Sequence, residues 1–417
     1  MENITSKDLC YLITSTLRLI DKGPMDHGLR VAYFLLKMLE CRGGYVEYEL
    51  AENILLAMIH DIGAYKTEDL SKKLNYETID VMPHSIYGYL FMRYLSPMKE
   101  KSKILLYHHV DYSQLEAIDY KYKDIANFIG FSERVDLYNN TMGKAFDYRL
   151  LSKYEKVKYS SEAIQLFNHA QIKYDVFSNV KSGEYLKELS QILEYIIFNE
   201  EEKKNYIELL MYIMGFRSEY AVTDTVTTIC ICREIAKLLK VSEEDKEKLY
   251  YAALVHDIGM LTISEKILDA PRALTQEETT KMRKHVNIAE SVLKQYLDSE
   301  IVEIAITHHE RSNGSGYYKG LKEENMNILQ MILQIADTIT GMINQRSYRT
   351  IKNKEFIINV LEDEANHGRF NKKIVKVFCS NYDSILVEVR KESKKILNLH
   401  SKLNIQYNQM FQNLGNN

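Results

Sequence analysis

His60-Asp61-Ile62-Gly63 occurs a second time as His256-Asp257-Ile258-Gly259. Each copy closes an apolar segment, Ile54 to Ile59 in the first and Leu249 to Val255 in the second. Each stops at a glycine, which predicts the left-handed turn that commonly follows a helix end. An adjacent histidine and aspartate at a helix end place an imidazole and a carboxylate in one pocket, a donor pair suited to a hard or borderline divalent metal.

The landmarks around the tetrapeptides recur in the same order. His256 follows His60 by 196 positions (256 − 60), and His285 follows His84 by 201 (285 − 84). His308-His309 answers His108-His109, Asp337 answers Asp136, and Tyr348-Arg349 answers Tyr148-Arg149, at offsets of 200 or 201. An ordered set at nearly constant spacing reads as an internal duplication. Of the 12 histidines, eight fall on these landmarks and His27, ahead of them in the first copy, makes a ninth; His169, His367 and His400 lie outside. The expected organisation is a first domain over 1–180, a linker over 181–205, a second domain over 206–390 and a C-terminal tail over 391–417.

The fold class expected is all-α. Only 4 prolines occur in 417 residues, and Ala32, Leu35, Leu36 and Leu39 recur at helical spacing, as do Ile231, Ile235 and Leu238. Ser242 with Asp245 and Thr275 with Glu278 read as helix-start capping pairs. A net charge of −4 argues against binding to DNA or RNA duplexes. Five scattered cysteines indicate neither a disulfide framework nor a thiolate metal site. With no membrane-length apolar run and no leader pattern, the expectation is a cytoplasmic protein.

In the first copy, His27, His60, Asp61, His84, His108, His109 and Asp136 are too many ligands for one ion. They suit two divalent ions bridged by Asp61, roughly 3.5–4 Å apart, holding a hydroxide for attack on phosphorus. Donors of this kind without thiolates favour iron or manganese, with zinc next. His60 and Asp61 are the catalytic pair expected, and Arg30, Lys66 and Arg149 are the candidate phosphate contacts.

These residues resemble the HD superfamily of metal-dependent phosphohydrolases and, within it, the HD-GYP phosphodiesterases. The second copy carries the fuller likeness, from Ala252 to Gly259, at His285, over His308 to Leu321, at Ile335-Ala336-Asp337 and at Tyr348-Arg349. The resemblance implies two tandem HD-type domains and hydrolysis of a cyclic dinucleotide, cyclic di-GMP or 3′,3′-cyclic GMP-AMP. A second copy of the chain or another signalling protein is the further partner considered.

The chain also departs from the family's pattern. Ala64 and Met260 stand where the family has a phosphate-contacting lysine, Asp224 where it has the early histidine, and Asn313 where it has aspartate. The signature tripeptide reads Gly316-Tyr317-Tyr318, without its proline, and the first copy lacks that loop. Gly23 and Tyr220 replace the glutamate of trinuclear members, so at most two ions per site are expected. The metal set of the second copy is then His256, Asp257, His285, His308, His309 and Asp337, partly filled or empty, with Gly314, Gly316, Tyr317 and Arg349 as candidate nucleotide contacts. Catalysis is expected in the first copy. The alternatives are another nucleotide or phosphoester as substrate, or a nucleotide-binding signalling role without turnover.

Overall fold

The computed structural model describes residues 4–20, 26–66, 82–142, 146–216, 221–344 and 352–415. Among the described residues there are helices and no strands; only two isolated β-bridges occur, Glu155 with Tyr159 and Asn313 with Lys322. The all-α expectation holds. No described helix is long and apolar enough to cross a membrane.

The chain divides into two compact units, one of Thr5–Leu209 with Ile405–Asn417 and the other of Leu210–Asn404 with Met1–Ile4. The span expected as a linker is largely helical, with helices Val176–Ser182 and Glu184–Leu193, and the division falls inside the next helix, Glu200–Phe216. Of the span expected as a tail, residues 391–415 continue the helix Tyr382–Gly415.

In the N-terminal unit the helix His27–Arg42 is the core element, buried almost continuously from His27 to Leu39. Phe34 packs edge-on against Phe167 and Phe177. Around it lie Glu47–Met58, a 3-10 turn Ile62–Lys66, Met82–Leu95, Lys103–Tyr107 and Lys123–Met142. The C-terminal unit repeats this order with Ala221–Leu238, Glu243–Val255, a 3-10 turn Ile258–Thr262, Gln276–Leu293, Ser299–Ala305 and Ile328–Ile343. Local chemistry sets several starts. Thr275 and Glu278 form the reciprocal capping box, and Ser242 accepts from the Asp245 amide. Asn327 and Gln330 form a further box at the head of Ile328–Ile343.

The reason for the tetrapeptide glycines differs from the expectation. Neither Gly63 nor Gly259 takes a positive φ. Instead, a Cβ on Gly63 would fall 1.9 Å from the His84 carbonyl oxygen, and one on Gly259 would fall 2.0 Å from that of His285. These glycines are required by backbone contact. They let the 3-10 turn after each His-Asp pair press onto the helix that carries the next histidine.

Gly63→Ala is accordingly expected to destabilise the protein by about 3 kcal/mol, since backbone rather than a flexible side chain must yield. Gly341→Ala, in a helix with open space around it, should instead gain about 0.5–1 kcal/mol. Thermal melting of the two variants would check both signs.

Candidate metal centres

Most of the landmark histidines sit where helices begin or end, and His285 lies midway along Gln276–Leu293. His27 opens its helix, His60 follows Glu47–Met58 by two residues, and His108-His109 directly follows Lys103–Tyr107. Helix ends leave carbonyls without an intrahelical partner, and the imidazoles use them. His60 Nδ1 donates to the Ala57 carbonyl at 2.8 Å and His108 Nδ1 to that of Leu105 at 2.7 Å. His256 and His308 do the same with Ala253 and Ala305, at 2.8 and 2.6 Å, while His285 Nδ1 donates to the mid-helix Met282 carbonyl at 2.6 Å. A carbonyl can only accept, so Nδ1 carries the proton and Nε2 keeps a lone pair directed inward.

In the N-terminal unit these lone pairs converge. His84 Nε2 lies 3.4 Å from His108 Nε2 and 3.0 Å from His109 Nε2. His27, His60, Asp61 and Glu133 form an adjoining group whose donor atoms all lie within 4.8 Å of one another. Asp61 faces both groups, with Oδ1 3.4 Å from His84 Nε2 and Oδ2 3.6 Å from His60 Nε2. The Nε2 atoms of His27 and His60 are buried and make no hydrogen bond. A buried polar atom left in this way costs about 1–3 kcal/mol, so the pair fits a bound cation. Burial, then the neighbouring His109, drives His108 well below its ordinary pKa, which keeps it a neutral ligand.

The C-terminal unit assembles matching groups. His285, His308 and His309 form one, with His285 Nε2 3.1 Å from His308 Nε2. His256, Asp257 and Asp337 form the other. Asp257 directs Oδ1 toward His285 at 3.4 Å and Oδ2 toward His256 at 3.4 Å. Burial, then the His256 ring, pushes His308 down to about 3. Asp224, at the position of the early histidine, instead accepts from Asn344 Nδ2 at 2.7 Å and belongs to neither group.

The loop after His309 packs on this second cluster. Buried Glu310 accepts from the amides of Lys319, Gly320 and Leu321, at 2.6, 3.2 and 2.9 Å. Gly316 lies so close to Glu310 that a Cβ would fall 2.4 Å from its Cα, and Gly314 turns at φ 80°. Tyr317 stacks on His309 with centroids 4.7 Å apart, and the Arg283 guanidinium lies 4.9 Å from the Tyr317 ring. Tyr318 has φ 105°; proline, held near −65°, could not occupy that position. The missing proline therefore goes with a different loop backbone.

Several expected contacts are placed elsewhere. Asp136 is fully buried and its oxygens are occupied: His27 Nδ1 lies 2.7 Å from Oδ2, and Arg30 reaches Oδ1 at 2.6 Å and Oδ2 at 2.9 Å. Burial favours the neutral acid, but the bonds from His27 and Arg30 outweigh it and hold the carboxyl below its ordinary range. Arg30 is thus engaged with Asp136 rather than presented to a phosphate. Arg149 is largely exposed and bonds Asp147. Lys66 ends the 3-10 turn Ile62–Lys66, and Arg349 lies outside the described residues, as do Gly23 and Tyr220. Glu133 was missed by the sequence reading. Its signal is position alone: it lies three residues before Asp136 on one helix, hence on the same face.

Residues 208–374 match the family model described as HD domain. Along 91% of its length it is similar to the 3′3′-cGAMP-specific phosphodiesterase 1 of Vibrio cholerae, at 24% identity and covering 92% of that relative. The cyclic di-GMP phosphodiesterase of Thermotoga maritima is 31% identical over 50% of this chain and 59% of its own length. The crystal structure of a cyclic GMP-AMP specific phosphodiesterase from V. cholerae shares the fold, with a TM-score of 0.60 and 14% identity over 91% of this chain and 98% of that one.

Arg30→Ala would leave the buried Asp136 charge without its two-pronged partner, and a loss of about 3–5 kcal/mol is expected. Arg149→Ala, at an exposed pair, should leave the denaturant midpoint unchanged. Urea unfolding of both variants makes the comparison.

Proposed function

We propose that the chain is a metal-dependent phosphodiesterase that hydrolyses a cyclic dinucleotide, with catalysis in the N-terminal unit. The observation that carries this reading is the Asp61 carboxylate, one oxygen toward each group of buried donors, in a chain similar end to end to a 3′3′-cGAMP-specific phosphodiesterase. His84, His108 and His109 would hold one divalent ion and His27, His60 and Glu133 a second, with Asp61 between them. Ions bound there would supply positive charge to the phosphoryl oxygens and acidify water for attack on phosphorus. Iron or manganese suits this nitrogen and oxygen set.

The protein's own contribution is preorganisation. The Nδ1 bonds of His60 and His108 fix ring orientation before any ligand arrives. Arg30 and Asp136 fix His27 in the same way. The two units descend, on this proposal, from one duplicated HD domain, because the element order and the donor positions recur. A second reading puts catalysis in the C-terminal unit. It is favoured by the match of the family model to residues 208–374 and by the signature loop against His309.

Hydrolysis of 3′,3′-cyclic GMP-AMP and cyclic di-GMP by manganese- or iron-loaded protein tests both. Asp61→Asn should lower kcat by at least about a hundredfold, since a metal-facing carboxylate charge is lost, while Asp257→Asn keeps most turnover. The reverse pattern would move catalysis to the C-terminal unit. No turnover of either nucleotide by the metal-loaded wild type would sink the cyclic-dinucleotide assignment.

A further inference from the structure

The two units present their acidic groups from different positions of an equivalent helix. In the C-terminal unit the carboxylate at the cluster is Asp337, on Ile328–Ile343, with Oδ1 3.9 Å from His256 Nε2 and Oδ2 3.6 Å from His309 Nδ1. Its counterpart by sequence offset is Asp136, on Lys123–Met142. Yet the carboxylate that approaches the corresponding histidine is Glu133, whose Oε2 lies 3.5 Å from His109 Nδ1. Glu133 is 2% exposed and shares the donor group with His27, His60 and Asp61. The residue at its own offset in the C-terminal unit is Gln334 (334 − 133 = 201), fully buried, whose amide donates to the Glu310 carbonyl.

The cause lies on the neighbouring helix. Arg30 Nε and Nη2 grip Asp136 through both carboxylate oxygens, a fork geometry that holds a carboxylate in one orientation. The same offset that relates His27 to Asp224 relates Arg30 to Thr227, which bonds Asn344 and has no second prong with which to clamp an aspartate. A carboxylate gripped by arginine cannot also give its oxygens to a cation without losing those bonds. Glu133, three residues earlier on the same face, lies with the donor atoms of His27, His60 and Asp61, and glutamate has the extra methylene to reach.

We infer that in the N-terminal unit the metal-binding carboxylate has shifted by one helical turn, from Asp136 to Glu133, and that Asp136 with Arg30 has become the positioning pair that aims His27 Nε2. The ligand sets of the two units then differ: His27, His60, Asp61 and Glu133 against His256, Asp257 and Asp337. This rests on the reading of these groups as metal sites.

The test is manganese(II) titration by calorimetry and the visible spectrum of the cobalt(II)-loaded protein, in an Asp257→Asn background that weakens the other site. Glu133→Gln is expected to weaken first-site binding about a hundredfold and to change the cobalt spectrum. Asp136→Asn should keep that spectrum and lose about tenfold, the size of an outer-shell effect. Glu133→Asp, which keeps the charge but shortens the reach, should fall between, and covers the case in which Glu133→Gln fails to fold. Wild-type binding and spectrum in Glu133→Gln or Glu133→Asp, with collapse in Asp136→Asn, would overturn the inference. Metal binding with loss in Glu133→Gln but no hydrolysis by the wild type would sink only the phosphodiesterase reading. Hydrolysis with unchanged binding in Glu133→Gln would sink only this inference.

Discussion

A single hydrogen bond, from an imidazole Nδ1 to the carbonyl three residues earlier, underlies both clusters. It occurs at His60, His108, His256, His285 and His308. At His60, His108, His256 and His308 it satisfies a carbonyl that a terminating helix leaves open, and at all five it selects one tautomer and turns Nε2 inward. Four of the five rings are therefore set by where a helix stops, and His285 by its place along Gln276–Leu293. Without that constraint five histidines would be five rotamers among many, and a ligand would have to order them at an entropic cost.

The bond would be of little use if the helices did not approach closely. Gly63 and Gly259 supply the approach, each lying where any Cβ would overlap the carbonyl of the next histidine on the path, His84 or His285. Packing and chemistry meet at the same residue: the carbonyl onto which the bare glycine docks belongs to the residue whose ring faces the aspartate. Gly130, whose Cβ would fall 2.0 Å from the His108 carbonyl oxygen, makes another such contact in the N-terminal unit.

Around this shared frame the two units have separated. The N-terminal unit has an arginine–aspartate clamp on its first histidine, a glutamate in place of an aspartate as its second acidic donor and two buried imidazole nitrogens without a hydrogen bond. The C-terminal unit has an aspartate at the start of the first helix, tied to Asn344, and a loop pinned by Glu310 with Tyr317 laid on His309. One unit has elaborated its acidic and cationic supports, the other the cover of its cluster. Both keep the central aspartate with its oxygens divided between two donor groups.

The all-helical class, the order of landmarks and the histidines that gather in each unit were legible in the sequence, because helix periodicity and a repeated spacing are local, one-dimensional signals. Asp61 as the residue between two donor groups was legible too, from its place beside His60. Other features were decided only by the tertiary structure. The role of Glu133 over Asp136 depends on Arg30, which is 103 residues away in the chain (133 − 30) and meets Asp136 only after two helices pack. The need for glycine at 63 and 259 comes from the carbonyl it touches, not from its own φ. Periodicity says which face of a helix a residue occupies; which of two acidic residues on that face is gripped by an arginine and which joins the donor group is settled by what packs against them.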